Sequence, residues 1–253
     1  MKNGQWYCNG GVYMDHVVAA GISQGQGAPI LSDIQSCVLK DISWVIPDAA
    51  WSDHPGESQG TPPYGPSWVG DIVDAVGSAT NCDGTGYWND TAIFIVWDDW
   101  GGWFDHVTPP DVYRSTSATS CPTSVQPNGW GCGYVYGFRV LLLVVSAYTK
   151  AGYVSGACSG ITCNNNKFPY QRDFGSILAF IEYNFGMQQI APPFYADANA
   201  LDGAKGNIPL SDFFSLSNQR SFTNINTSYN AQFFEDYYAN GHTPAGPDGG
   251  PDD

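Results

Sequence analysis

Apolar side chains recur along this chain in two rhythms. Between Pro29 and Lys40, Ile30, Leu31, Ile34, Cys37 and Val38 fall at helical spacing, with Ser32 or Asp33 near the start. Val69, Ile72, Val73 and Val76 repeat that spacing behind Ser67, which can cap a helix. Ile177, Leu178, Ile181 and Phe185 repeat it behind Asp173, predicting a helix through Gly186. The second rhythm is that of strands. Residues 41–47 read as a short one, and Ala92 to Trp97 and Val140 to Val145 are unbroken apolar runs. Such runs suit strands buried on both faces, as in a parallel sheet covered by helices. Strand and helix alternate, which predicts the α/β class with a mainly parallel sheet. The intervening stretches read as loops: 52–66, with four prolines and His54, a Ser/Thr/Pro/Gly insertion over 111–133, and 151–171. Residues 1–28 read as irregular, 29–216 as the α/β domain, and 217–253 as an aromatic irregular segment ending in an acidic, disordered tail.

Composition narrows the setting. The 253 residues carry nine Lys plus Arg against twenty-four Asp plus Glu, a formal charge of −15. An acidic surface without a basic patch repels nucleic acid, and it is not drawn to anionic membranes. Charged residues are 13% and aromatic ones 15%, which suits an aromatic-packed, loop-rich extracellular protein. Seven cysteines include two short-range pairs, Cys121/Cys132 and Cys158/Cys163, read as loop disulfides of an oxidising compartment. Cys8, Cys37 and Cys82 leave one thiol over. Met1 opens no apolar leader, and no run approaches the ~20 apolar residues of a membrane span.

The chemistry concentrates after the central strand. Ala92 to Trp97 run directly into Asp98 and Asp99, followed by Gly101-Gly102 and Asp105-His106. Ligands of open α/β sheets sit beyond the carboxyl ends of strands. Adjacent carboxylates repel each other unless a cation lies near, and they are hard oxygen ligands for a divalent metal. The competing use of Asp98 and Asp99 is to cap the turn that follows. Gly101 and Gly102 allow a tight reversal with positive φ. Asp105 orients His106 or a ligand. Trp97, Trp100 and Trp103 read as packing rather than stacking platforms.

The stretch from Thr91 to Pro110 resembles the signature of the bacterial phosphoesterase family that holds phospholipases C and related acid phosphatases. That signature is an apolar strand, Asp-Glu or Asp-Asp, Gly-Gly, then Asp-His-Val and prolines. Asp53-His54-Pro55-Gly56 looks like the family's His-Pro element, and Tyr136-Gly137-Phe138-Arg139-Val140 like its Gly-Phe-Arg-Val strand. Ser176 to Glu182 looks like its late helix, and Leu210 to Phe214 like its closing segment. The resemblance implies an alkaline-phosphatase-like α/β/α sandwich and metal-assisted hydrolysis of phosphate esters through a phospho-enzyme. It implies Asp98 and Asp99 as metal ligands, and His54 in contact with the phosphate or its leaving group. His106 touches phosphate or locks the Gly-Gly loop, and Arg139 binds phosphate or pairs with a buried carboxylate. The substrate is then a phosphate ester, a phospholipid headgroup among the options, and the setting extracellular or periplasmic.

The sequence departs from the family in three places. Asp99 stands where many relatives have Glu, and Leu141 and Ala147 stand where the family has prolines. The family's early Glu-Asn-x-Ser-Phe-Asp motif and a nucleophile turn are not found, so the nucleophile is unknown. The resemblance therefore implies the C-terminal half of the family fold, with an exposed sheet edge that favours self-association. A non-catalytic remnant or metal-binding module is the alternative reading.

Overall fold

The structure, a computed structural model, describes residues 29–47, 51–52, 64–79, 82, 84, 86–107, 137–155, 172–188, 208, 210–237 and 240. His54 and the pairs Cys121/Cys132 and Cys158/Cys163 lie outside them. The chain divides into two compact units, Met1–Thr91 with Ser221–Asp253, and Ala92–Arg220.

The first unit is helical. It holds α1 (Pro29–Gln35), α2 (Tyr64–Ser78) and α4 (Ala231–Glu235). Leu31, Trp51, Trp68, Phe234 and Tyr237 form its buried core. Trp51 is the hub, with ring centroids 5.7 Å from Trp68, 5.3 Å from Phe234 and 4.9 Å from Tyr237. The last two contacts are edge-on, the arrangement that ring quadrupoles favour. Helix α4 lies in a segment read from sequence as irregular. Five residues span barely one turn of periodicity, and so short a helix stands only through packing. Asn230 caps it by accepting the Phe233 N–H at 3.1 Å, while Phe234 is fully buried.

Helix α2 begins four residues before the expected start, so Ser67 is an interior residue and not the cap. Pro66 falls in the first turn, where its missing N–H costs nothing. The Ser67 hydroxyl instead accepts the N–H groups of Ser228 and Tyr229, at 3.2 and 3.3 Å. One and two turns on, Asp71 accepts the Thr227 hydroxyl and Asp74 the Ile225 N–H, both at 2.8 Å. Three polar residues on one helix face thus clamp a returning, irregular segment. Burial raises the Asp71 pKa against its Thr227 hydrogen bond, and the neighbouring Asp74 adds to the rise. The Asp71 charge therefore costs stability at neutral pH, a cost relieved as the group protonates.

Helix α1 ends in a Schellman turn: Val38 N–H bonds to the Asp33 carbonyl at 3.0 Å and Cys37 N–H to that of Ile34 at 3.1 Å. The left-handed position, normally glycine, is occupied by Cys37 at φ 59°. Cys37 is joined by a disulfide to Cys82, beyond the end of α2. The expected strand over 41–47 does not form. Among the described residues nothing pairs with it, and Trp44 and Ile46 stand 56% and 75% exposed.

The second unit is mixed α/β. Strands β1 (Ala92–Val96) and β2 (Leu142–Ser146) pair antiparallel, from Ala92 opposite Ser146 to Val96 opposite Leu142. The described pair thus departs from the parallel arrangement expected, and both strands are half-buried rather than covered on both faces. An apolar run reports burial, not strand direction. The antiparallel ladder has a functional consequence. The end of β1 lies beside the start of β2, so Asp98 and Arg139 share one end of the ribbon while Ser146 to Tyr148 lie at the other.

Helix α3 (Phe174–Asn184) forms where expected, with a capping box at its start. Asp173 accepts the Ser176 N–H at 3.2 Å, and the Ser176 hydroxyl accepts the Asp173 N–H at 3.3 Å. Gly186 closes it at φ 62°. Phe180 docks it, 5.2 Å from Phe94 of β1 and stacked at 5.4 Å on Phe214.

Asp212, in the 3-10 turn Ser211–Phe213, gathers the far end of the ribbon. Arg172 pairs with it at 2.7 Å, Ser155 donates at 2.7 Å and Tyr153 at 2.9 Å. Burial pushes the Asp212 pKa up, but the Ser155 and Tyr153 hydroxyls and Arg172 outweigh it, and the net shift is downward. A carboxyl with a depressed folded pKa stabilises above its unfolded pKa, about 3.9, and that contribution fades as pH falls through the folded value. Asp212→Ala is expected to destabilise the second unit by about 2 kcal/mol at neutral pH, with the difference from the parent shrinking below about pH 4. Urea unfolding at a series of pH values measures both. Among the described residues no helix is long and apolar enough to cross a membrane.

Candidate functional site

The candidate residues gather at the end of the ribbon where β1 leaves and β2 enters. Trp97 carries the chain out of the ladder, with Asp98 exposed and Asp99 half-buried. One Asp99 oxygen accepts the Gly101 N–H. The Trp100 carbonyl then accepts the Trp103 N–H at 3.1 Å across two glycines at φ 62° and 73°. Positive φ at both central positions is the requirement of a type I′ turn, which explains the Gly-Gly pair. Asp99 thus performs the turn-capping task that competed with metal binding. It keeps a second oxygen, and both oxygens of Asp98 stand at the open tip. Among the described residues no ion pair engages either carboxylate.

Asp105 and Arg139 tie the two sides of this end together. Arg139 Nε and Nη2 donate to the two Asp105 oxygens at 2.6 and 2.9 Å, a bidentate pair between residues 34 apart in sequence. The pair is not buried as expected, since the Arg139 side chain is 58% exposed. Arg139 holds the Asp105 carboxyl well below the usual carboxylate range, with the N–H groups of Val107 and His106 adding to this, and Asp105 raises the Arg139 pKa in return. Asp105 therefore organises the loop backbone and engages Arg139. His106 is exposed, its ring 5.4 Å from that of Phe104. Phe138 packs edge-on to Trp100 and Phe104, at 6.3 and 5.6 Å. A Cβ at Gly137 would collide with the Trp100 ring, so that glycine is a packing requirement of the loop.

Sequence reasoning placed Asp98, Asp99, Asp105, His106 and Arg139 individually, and the structure brings them to one end of one ribbon. It missed the Asp105–Arg139 partnership and the Asp212 cluster, because neither follows from spacing along the chain. Asp98 and Asp99 are oxygen donors of the hardness a divalent cation requires. Among the described residues no group of three His, Cys, Asp or Glu side chains forms a complete metal site. By themselves the two carboxylates could supply only part of a ligand set.

The profile of the phosphoesterase family matches residues 9–188. The non-hemolytic phospholipase C of Pseudomonas aeruginosa is 25% identical over 185 residues, which are 68% of this chain and 24% of that protein. The non-hemolytic phospholipase C of Burkholderia pseudomallei is 32% identical over 160 residues, 60% of this chain and 20% of that protein. Phospholipase C B of Mycobacterium tuberculosis is 30% identical over 135 residues, 51% and 24% of the two chains. The chain thus spans 20–24% of the length of these relatives. No solved structure matches it.

Proposed function

The chain belongs to the phosphoesterase family, and on that premise we propose that it serves metal-assisted hydrolysis of phosphate esters. The observation that carries this reading is the pair Asp98 and Asp99, held at an open strand tip without a described cationic partner and inside the region the family profile matches. Asp98 and Asp99 would hold a divalent cation, completed by groups outside the described residues. When bound, such an ion supplies charge neutralisation at the phosphoryl oxygens.

The chain's own residues do the rest. The type I′ turn fixes where the Asp99 carboxylate points, and the Asp105–Arg139 pair fixes the loop against the start of β2. His106, exposed at the same end of the ribbon, contacts the phosphate. His54 contacts the phosphate or the leaving group. The nucleophile that would form the phospho-enzyme lies outside the residues assigned here. The names of the relatives favour a phospholipid diester as substrate over a monoester. The frame is the α/β/α sandwich of the resemblance, with the β1–β2 ribbon as one part of its sheet. The Cys37–Cys82 disulfide supports an extracellular or periplasmic setting.

The test is hydrolysis of p-nitrophenylphosphorylcholine and p-nitrophenyl phosphate by the purified chain across Mg²⁺, Ca²⁺, Mn²⁺ and Zn²⁺. Metal-dependent release of nitrophenol, faster from the diester, is the expected result. Saturable metal binding with no release from either ester would favour the metal-binding module instead.

A further inference from the structure

The same end of the ribbon presents large aromatic side chains to solvent. Trp103 is 72% exposed and Phe104 75%, with Trp97, Trp100 and Leu141 exposed beside them. The chain reverses at Gly101 and Gly102, and Trp103, which closes the turn, and Phe104, which follows it, are the most exposed rings of this end. At Gly102 a Cβ would meet nothing within 4 Å, so the crest projects into open space. Phe138 packs beneath Trp100 and Phe104, and Gly137 lies against Trp100, so ordering these two rings on a surface costs little further entropy.

We infer that the Trp100–Phe104 turn is an interfacial wedge that seats this end of the protein on a zwitterionic phospholipid surface. The choice of phospholipid rests on the proposed function; the wedge itself rests on exposure, turn geometry and charge. Trp and Phe at the crest are the residues that enter the boundary between headgroups and acyl chains. Asp98, Asp99 and Asp105 flank these residues in the sequence, and among the described residues Arg139 pairs with the last of them. Aromatic faces complement a layer whose outermost groups are cationic, as in phosphatidylcholine. The formal charge of −15 repels the chain from anionic lipid. Seated this way, the carboxylates at the tip face the phosphodiester layer while the chain stays on the surface.

The experiment is co-sedimentation of the full 253-residue chain with phosphatidylcholine vesicles, and with vesicles carrying phosphatidylglycerol. The parent chain is expected to bind the former, with its tryptophan emission shifted to the blue. It is expected to bind the latter less well at low salt. Trp103→Ala and Phe104→Ala should each weaken binding by about tenfold with an unchanged thermal melt, and Trp103→Phe should restore most of it. Absence of binding to phosphatidylcholine, or equal binding by the alanine variants, overturns the inference. So does a dimer in sedimentation equilibrium that the alanine variants abolish, since the face would then be an interface between copies. Vesicle binding without hydrolysis of either nitrophenyl ester keeps the wedge and removes the proposed function; hydrolysis without vesicle binding does the reverse.

Discussion

Asp98→Asn with Asp99→Asn is expected to lower metal-dependent hydrolysis of p-nitrophenylphosphorylcholine on the order of a hundredfold or more. The substitution keeps shape and most hydrogen bonding, since an asparagine carbonyl at 99 can still accept the Gly101 N–H. What it removes is two negative charges at the strand tip. A divalent ion contributes several kcal/mol to phosphoryl transfer, and each ~1.4 kcal/mol is tenfold in rate. The two single variants separate the residues. Asp99 has one oxygen committed to the turn, whereas Asp98 has both available, so Asp98→Asn is expected to be the more damaging. Raising the metal concentration should recover part of the loss in the singles and little in the double variant. Steady-state rates against metal concentration read all of this.

Removing the Cys37–Cys82 disulfide is the largest stability change expected in the first unit. Joining residues 45 apart restricts the unfolded chain by about 4 kcal/mol in the chain-entropy account, comparable with much of a small domain's whole stability. The Schellman turn separately places Cys37 in the left-handed conformation, which costs a side-chain-bearing residue about 1 kcal/mol. The two effects can be told apart. Cys37→Ser with Cys82→Ser loses the bridge and keeps the strain; Cys37→Gly with Cys82→Ser loses both and installs the residue the Schellman turn prefers. The glycine variant should therefore be the more stable by about 1 kcal/mol. Urea unfolding monitored through tryptophan fluorescence compares parent and both variants, and equal midpoints for the two variants would contradict strain at Cys37.

Elements are legible in the sequence where the physics that sets them is local. Helix α3 is legible from both ends, because Asp173, Ser176 and Gly186 carry its cap, capping box and terminator within fourteen positions. The β1 run and its Asp-Asp, Gly-Gly ending were legible for the same reason: the turn that Gly101 and Gly102 make is set by their own φ. Features that depend on distant partners were not. Ser67 is an acceptable cap by residue type, but its hydroxyl serves a segment some 160 positions later. The strand over 41–47 has the right side chains and lacks a described neighbour. The antiparallel ladder of β1 and β2 could not be read from apolar runs, which say how deep a strand lies and not which way it points. Asp105 and Arg139 were both singled out, yet their pairing is a property of the ribbon, which brings the end of one strand beside the start of the next.

The proposed chemistry depends first on Asp98 and Asp99 holding a divalent cation. Isothermal titration of Mg²⁺, Ca²⁺, Mn²⁺ and Zn²⁺ into the metal-stripped chain tests it most directly, with Asp98→Asn/Asp99→Asn alongside. Saturable binding of at least one of these ions by the parent chain is expected, with its loss in the variant, while the two share a thermal melt without metal. Binding of equal strength by parent and variant would contradict it.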